Sequence, residues 1–373
     1  MDSLEAFSGT YNERLVDKAQ QMRVPISGTF ELTPACNMRC RMCYIQHTPQ
    51  QEALQPADFF IDVMEQAMAQ GLLFPLLTGG EPLLYPEFDK LYERLARMPL
   101  HLCINTNATL LDRERVAWLA KCPPKRLNIS LYGASDETYA RLCGNPNGFT
   151  QVLHAFDLLK EYDISFRVHS VMVPENVADY QGIVDVCNRY RVPLGVANYM
   201  FPSYRKEEGC VQAHDRLAPK QLAENSLLFL RDHFKGMEKA YRIYVEQRCA
   251  AFERPEIYSL YGNRKVACRA GSCVFWVDWR GHVSGCGIHD QNRIDLHATP
   301  FAQAWKTIVG DTQSIRLSEK CKFCKYRCIC PTCAAAAFCE TGAMDGTPEY
   351  LCAYCEEYAR LLLAERSRVS GLR

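Results

Sequence analysis

Cys36-Asn37-Met38-Arg39-Cys40-Arg41-Met42-Cys43 sets three thiols into eight residues, directly after the strand-like run Gly28-Thr29-Phe30-Glu31-Leu32. Thiolates are soft donors that suit zinc, copper(I) or iron–sulfur clusters. Structural zinc takes four protein ligands, whereas reactive metal sites keep one position open. A three-thiolate loop therefore reads as a site built to bind something else. A zinc site completed by His47 is the alternative these residues leave open.

Working outward, the chain has 373 residues of which 48% are hydrophobic, enough for one large domain and a smaller one. Its 43 Lys and Arg balance 43 Asp and Glu, so no positive field supports a nucleic-acid or membrane-surface partner. Residues 1–21 lack both the apolar core of a signal peptide and the run of about 20 apolar residues that spans a bilayer. That predicts a cytoplasmic protein. Twenty cysteines in a reducing compartment predict metal ligands rather than disulfides. Cys103, Cys122, Cys143 and Cys187 stand singly among apolar neighbours and read as small core hydrophobes.

Strand-like and helix-like segments alternate from residue 28 to residue 200. Strands are predicted over 28–32, 72–77, 101–104, 126–131, 165–173 and 194–199, and helices over 56–70, 86–98, 113–120, 136–142, 149–160 and 177–190. Six strand–helix units imply parallel strands, because a helical crossover returns the chain to run the same way. Periodicity alone leaves an open doubly wound sheet and a partial barrel equally available. Either one places the loops after the strands on a single, ligand-binding edge. That edge would gather the three thiols, Gly79-Gly80-Glu81-Pro82, Asn105-Thr106-Asn107 and Ser130-Leu131-Tyr132-Gly133.

The C-x3-C-x2-C spacing after an N-terminal strand resembles the signature of the radical SAM superfamily. In that family three cysteines hold a [4Fe–4S] cluster whose fourth iron is chelated by S-adenosyl-L-methionine (SAM). The resemblance implies a partial (β/α)6 TIM-like barrel. It also implies that Cys36, Cys40 and Cys43 are the cluster ligands and catalytic centre, with Tyr44, Gly79, Gly80, Glu81, Asn107 and Ser130 binding the cofactor. The glycines suit close approach to a ligand, and the Glu81 carboxylate suits an ammonium. Three residues depart from the family pattern. Met42 replaces an aromatic, Ala108 a glycine, and Tyr132 an aspartate.

Beyond a connector over 201–248, with a charged stretch at 205–208 and a helix predicted over 222–234, cysteine density rises. Twelve of the twenty lie from Cys249 onward. Residues 274–283 read as a hairpin turning near Arg280-Gly281. Cys268, Gly281-x4-Cys286, Cys321-x2-Cys324-x5-Cys330 and Cys352 resemble the SPASM extension of radical SAM enzymes, which holds two auxiliary four-iron clusters. The expected organisation is a lead at 1–27, the barrel at 28–200, the connector, and a cysteine-rich SPASM domain with a C-terminal helix at 249–373. By position, the first auxiliary cluster takes Cys268, Cys273, Cys286 and Cys333, and the second takes Cys321, Cys324, Cys330 and Cys352. Cys333 follows Cys330 one residue early, so Cys328 and Cys355 stand as substitutes. Three C-x2-C pairs keep a zinc-ribbon reading open.

The resemblance implies three four-iron clusters, SAM, an external one-electron donor of flavodoxin or ferredoxin type, and radical hydrogen abstraction from a peptide or protein. Cross-linking of a ribosomally made precursor and formylglycine formation on a sulfatase are the two outcomes it offers. Sulfatase maturases carry an Asp directly after the G-x4-C cysteine, where this chain has Gly287. Asp278 and Asp290 are the nearest candidate bases. The missing Asp favours the cross-link, a thioether or a carbon–carbon bond. Many peptide maturases also carry an N-terminal leader-gripping module, and the 27 residues before the first strand are too few for one. An electron carrier or assembly module is the non-enzyme alternative, and it would not need Gly79-Gly80-Glu81 beside the thiols.

Overall fold

A computed structural model of the chain describes residues 11–45, 54–202, 216–288 and 291–371. It divides into two compact units. The described parts of the first lie within Met1–Ala197 and Arg269–Gln313, and those of the second within Asn198–Ser203, Val211–Cys268 and Ser314–Arg373. His47, Asp290, Cys210 and the charged stretch 205–208 lie outside the described residues.

The first unit opens with helix α1 (Tyr11–Met22) and then alternates strand and helix: β1 (Ser27–Glu31), α2 (Ala57–Ala69), β2 (Phe74–Thr78), α3 (Phe88–Leu95), β3 (Cys103–Thr106), α4 (Arg113–Ala120) and β4 (Arg126–Ser130). It continues through α5 (Asp136–Cys143), α6 (Gly148–Glu161), β5 (Phe166–Val171), α7 (Tyr180–Tyr190) and β6 (Leu194–Ala197). Local sequence sets several boundaries. Asp112 caps α4 by accepting the Arg115 N–H at 2.8 Å, Ser135 caps α5 by accepting that of Thr138 at 3.2 Å, and Gly144 ends α5 in the left-handed region.

The six strands pair in parallel in chain order, β6-β5-β4-β3-β2-β1. That order never steps back past β1, which distinguishes barrel winding from a doubly wound sheet. Phe30, Leu77, Ile104, Leu127, Ile129, Phe166 and Val168 form one buried apolar face, and Phe166 meets Phe156 of α6 at 4.7 Å. The opposite, inward face carries Thr29, Glu31, Thr78, Asn105, Asn128, Arg167 and His169. Cys143 and Cys187 are core residues as expected, but Cys122 is exposed and Cys103 is half-buried on the inward face.

The hairpin expected within the cysteine-rich extension continues this sheet. Strand β7 (Val274–Val277) runs parallel to β1, and β8 (His282–Ser284) and β9 (Ile294–Asp295) follow antiparallel. Gly28 permits the pairing, since a Cβ there would lie 2.2 Å from the Phe275 ring. The polar lead also contributes to the core, where Ala19 of α1, Ile26 and Cys273 form one buried apolar cluster. Helix α10 (Phe301–Ser314), which the periodicity reading missed, packs Phe301 on Phe275 at 4.8 Å.

The second unit contains α8 (Pro219–His233) and α9 (Glu238–Glu253), which pack against the 22-residue α13 (Glu349–Ser370). Leu222, Leu230, Val245, Phe252, Leu351 and Leu362 are buried in these helices. Only the first of the two connector helices is visible in the sequence pattern. Short helices α11 (Glu319–Lys322) and α12 (Ala334–Thr341) carry the cysteine-rich stretch.

Candidate active site

The thiol loop is held on two sides by backbone. On one side the β1–β2 ladder runs on beyond both strands: Leu32 N–H donates to Thr78 O at 2.9 Å, Gly80 N–H to Thr33 O at 2.8 Å and Glu81 N–H to Ala35 O at 2.8 Å. The approach requires glycine. A Cβ at Gly79, whose φ is +146°, would lie 2.4 Å from Thr33 O, and one at Gly80 would lie 2.2 Å from Ala35 O. The glycines expected to admit a ligand are thus needed first to admit the loop itself. On the other side Arg39 N–H donates to Cys143 O at 2.7 Å and Arg41 N–H to Leu142 O at 3.0 Å. The last carbonyls of a helix lack intrahelical donors, so the end of α5 supplies acceptors that the loop fills, with Cys40 held between.

Within the loop Cys36, Cys40 and Cys43 are half-buried. The Cys36 Sγ accepts Met38 N–H at 3.4 Å and the Asn107 side-chain amide at 3.7 Å. Burial pushes its thiol up to about 12, and charge on Glu81, Cys40 or Cys43 pushes the same way. Three such groups cannot ionise together without a cationic partner, and a bound metal supplies one by deprotonating the thiols it ligates. The donor set therefore fits an iron–sulfur cluster held by Cys36, Cys40 and Cys43.

Glu81 is fully buried. One oxygen accepts Thr106 Oγ1 at 2.8 Å and Leu83 N–H at 3.2 Å, and the other accepts Asn107 N–H at 2.8 Å. Burial outweighs these bonds and pushes its carboxyl up to about 7. Glu81 thus ties the end of β3 to the glycine turn. The Asn107 amide donates to Asn37 Oδ1 at 2.8 Å and its oxygen accepts from Thr109, which joins the β3 end to the thiol loop. Ser130 closes β4 beside Tyr132 and Tyr139; Tyr139 donates to Ser130 O at 3.5 Å and accepts Tyr132 N–H at 3.2 Å. The Tyr132 phenol is raised well above its ordinary range, by burial first and then by Cys40 and Cys43, so it stands at the thiol loop.

Tyr44 meets Trp276 of β7 edge to face at 6.3 Å. Trp276 lies opposite Thr29 on the inward face, and its indole N–H is buried without a partner among the described residues. Gly287 abuts the same ring, where a Cβ would fall 2.3 Å from the indole. Alternation in the hairpin was the available sequence signal for Trp276, but its depth depends on the register of β7 on β1. Asp278 is buried in the hairpin turn, where it accepts Arg280 N–H and His282 N–H, both at 3.0 Å, and Arg293 Nη1 at 3.1 Å. These bonds hold the Asp278 carboxylate within the hairpin turn.

In the second unit Cys321, Cys324, Cys330 and Cys352 stand close enough that charge on each disfavours charge on its neighbours, and Cys355 is hydrogen-bonded to Cys330. Cys328 lies on the edge of the group. Arg327, 5% exposed, favours the thiolates of Cys321, Cys324 and Cys330; it donates to Lys265 O at 3.0 Å, and its Nε–H has no partner among the described residues. A buried guanidinium needs counter-charge, and among the described residues it pairs with no carboxylate. An anionic thiolate-ligated cluster fits that demand. The thiols expected for the other auxiliary cluster divide between the units, Cys273 and Cys286 in the first, Cys268 and Cys333 in the second. Cys273 is fully buried among apolar side chains, Cys286 Sγ accepts Ile288 N–H at 3.4 Å, and Cys333 Sγ caps α12 by accepting Ala336 N–H at 3.4 Å. Among the described residues no three His, Cys, Asp or Glu side chains gather as a site for a single metal ion. No described helix is long and apolar enough to cross a membrane.

A partial parallel barrel with a three-thiol loop after its first strand is the arrangement that the resemblance to radical SAM enzymes implies. Residues 30–187 match the Radical SAM superfamily; the chain carries a radical SAM domain and is an enzyme. It is 23% identical over 340 residues to AdoMet-dependent heme synthase of Methanosarcina barkeri (strain Fusaro / DSM 804), covering 84% of this chain and 92% of that protein. It is 24% identical over 320 residues to the antilisterial bacteriocin subtilosin biosynthesis protein AlbA of Bacillus subtilis (strain 168), covering 83% and 67%. Among solved structures, Streptococcus suis SuiB bound to precursor peptide SuiA shares the fold with a TM-score of 0.67 at 18% identity, covering 91% of this chain and 80% of that one.

Proposed function

We propose that this enzyme modifies a ribosomally made precursor peptide by abstracting hydrogen and installing an oxidative cross-link, a thioether or a carbon–carbon bond. The observation that carries the reading is the set of thiols at Cys321, Cys324, Cys330 and Cys352 beside the buried Arg327, which pairs with no carboxylate among the described residues. It supplies a cluster site in addition to the radical one, as a net oxidation of substrate requires. Similarity to AlbA and the fold shared with peptide-bound SuiB support the substrate class.

Cys36, Cys40 and Cys43 would hold a four-iron cluster beside SAM, and these groups would supply radical hydrogen abstraction from substrate. An external one-electron donor of flavodoxin or ferredoxin type would complete the system. The chain's own residues provide the setting. The α5 end and the β1–β2 ladder fix the loop, Glu81 and Asn107 fix the strand end facing it, and Tyr44 packs edge to face on Trp276.

Formylglycine formation is disfavoured by the contact between Gly287 and the Trp276 indole, which leaves no room for any side chain, and hence no carboxylate, after Cys286. A second reading, a heme-type substrate, is favoured by the similarity that spans 92% of a heme synthase. The test is anaerobic, dithionite-reduced protein with SAM and a synthetic cysteine-containing peptide. Expected are 5′-deoxyadenosine and a peptide lighter by two hydrogen atoms, both abolished in Cys36→Ala/Cys40→Ala. SAM cleavage that leaves the peptide unchanged but consumes a porphyrin acid would establish the second reading instead.

A further inference from the structure

The second unit carries an exposed apolar patch at its cysteine group. Phe323, between Cys321 and Cys324, is 61% exposed and Ile257 is 63% exposed, although both are large side chains that burial would stabilise. Residues 255–262 bring the two together. The first turn of that segment, Pro255–Ile257, packs on residues 325–328, while at its other end Gly262 N–H donates to Lys322 O at 2.8 Å and Tyr261 meets Phe323 edge to face at 5.6 Å. The rim is basic. Residues 320–327 hold Lys320, Lys322, Lys325 and Arg327 and no acid, in a chain whose formal charge is zero. Lys320 is taken by Glu349 at 2.9 Å, and the neighbouring Glu319 by Arg264 at 2.8 Å. Lys322 and Lys325 pair with no carboxylate among the described residues, and each lies over the aromatic ring that follows it, at 5.2 and 5.0 Å. Against them stand the exposed Glu256 beside Ile257 and Glu356, whose charge is felt at Cys324.

We propose that this face docks an acidic one-electron carrier protein, which exchanges electrons with a cluster held by the Cys321 group. The proposal rests on the reading that those thiols hold an iron–sulfur cluster. Electron transfer weakens steeply with distance. Phe323, Lys322 and Lys325 are each next in sequence to Cys321 or Cys324, so a partner seated on them meets the cluster through its own ligands. Two exposed apolar side chains offer far less area than a permanent interface needs, and a basic rim speeds encounter with an acidic partner, which together suit a transient complex. A second copy of this chain, with no net charge, would bring no excess of acid to the rim. In each exchange one centre loses a single electron and the other gains it.

The test uses reconstituted Cys36→Ala/Cys40→Ala protein, whose remaining iron belongs to the cysteine-rich stretch. It is reduced with dithionite, freed of excess reductant and mixed anaerobically with an oxidised flavodoxin as the acidic carrier. The expected result is one-electron reduction of the flavin at a rate that falls as salt rises. Lys322→Glu/Lys325→Glu and Phe323→Ser, made in the same protein, are each expected to slow it about tenfold. Oxidation by a small neutral quinone should keep its rate in both variants, which shows that their cluster is intact. Flavin reduction that ignores salt and both variants overturns the proposal. So does a polyglutamate peptide that binds the face where flavodoxin does not, or a dimer that Phe323→Ser dissolves, since these assign the face to a peptide or a second copy. A Cys36→Ala/Cys40→Ala protein that binds no iron removes the cluster reading and the proposal with it. Peptide modification with dithionite as reductant, read separately, tests the cross-linking reading alone.

Discussion

Ala108 sits at φ +62°, in the left-handed region, between two residues that hold Glu81 and the thiol loop. A residue with a Cβ is disfavoured there by about 1 kcal/mol relative to glycine. Ala108→Gly is expected to raise stability by about that amount, measured by thermal unfolding of the reconstituted protein. Gly287 makes the opposite case. Gly287→Ala must displace the Trp276 indole and is expected to cost about 1–3 kcal/mol, with a shift in tryptophan emission. Trp276→Leu in the same chain should return most of that loss, whereas additive effects would show that the two residues do not touch. The sequence displays Ala108 as a departure from pattern but not its torsion. The Gly287 contact is invisible there, because it depends on how deeply β7 docks on β1.

At the scale of elements, α13 ties two helices together. Its Glu365, 2% exposed, accepts Arg231, Arg368 and the Tyr241 hydroxyl at 2.6 Å, joining α8 and α9 to α13. Burial alone raises this carboxyl, but the hydrogen bonds prevail and hold it at about 2. A depressed carboxyl stabilises the fold above its unfolded value of about 4.5, and the contribution is lost as pH falls toward 2. Glu365→Gln is expected to lower stability by about 3 kcal/mol at neutral pH and to flatten the dependence of the melting temperature over that acid window. Arg327 bears on the cysteine group instead. Arg327→Met removes positive charge beside Cys321, Cys324 and Cys330, so the auxiliary cluster should become harder to reduce, its potential shifting negative in an EPR-monitored titration. An unchanged potential would detach Arg327 from the cluster. Helices α9 and α10 escaped the periodicity reading, and the tertiary use of α13 depends on a carboxylate whose partners lie far away in sequence.

For the whole molecule, the alternation of apolar periods showed six strand–helix units, and the motifs after strands one to four showed the ligand edge. Strand order, which separates a barrel from a doubly wound sheet, is a tertiary fact and became visible only in the pairing. The same holds for β7, which continues the barrel sheet although its sequence neighbours are cysteine-rich. Spacing groups Cys321, Cys324, Cys330 and Cys352, and in the structure charge on each disfavours charge on its neighbours. It could not show that Asp278 bonds within its own turn, nor that Arg126 and Arg167 share one amide, because both depend on backbone register.

The claim on which all this depends is that the cysteines hold iron–sulfur clusters rather than zinc. Iron, acid-labile sulfide and zinc per chain, counted after anaerobic purification and reconstitution, test it most directly. Three four-iron clusters predict about twelve irons and twelve sulfides with no stoichiometric zinc, falling to about eight of each in the Cys36→Ala/Cys40→Ala protein. About four irons accompanied by zinc would contradict it, leaving the radical centre but turning the cysteine-rich stretch into a structural zinc domain.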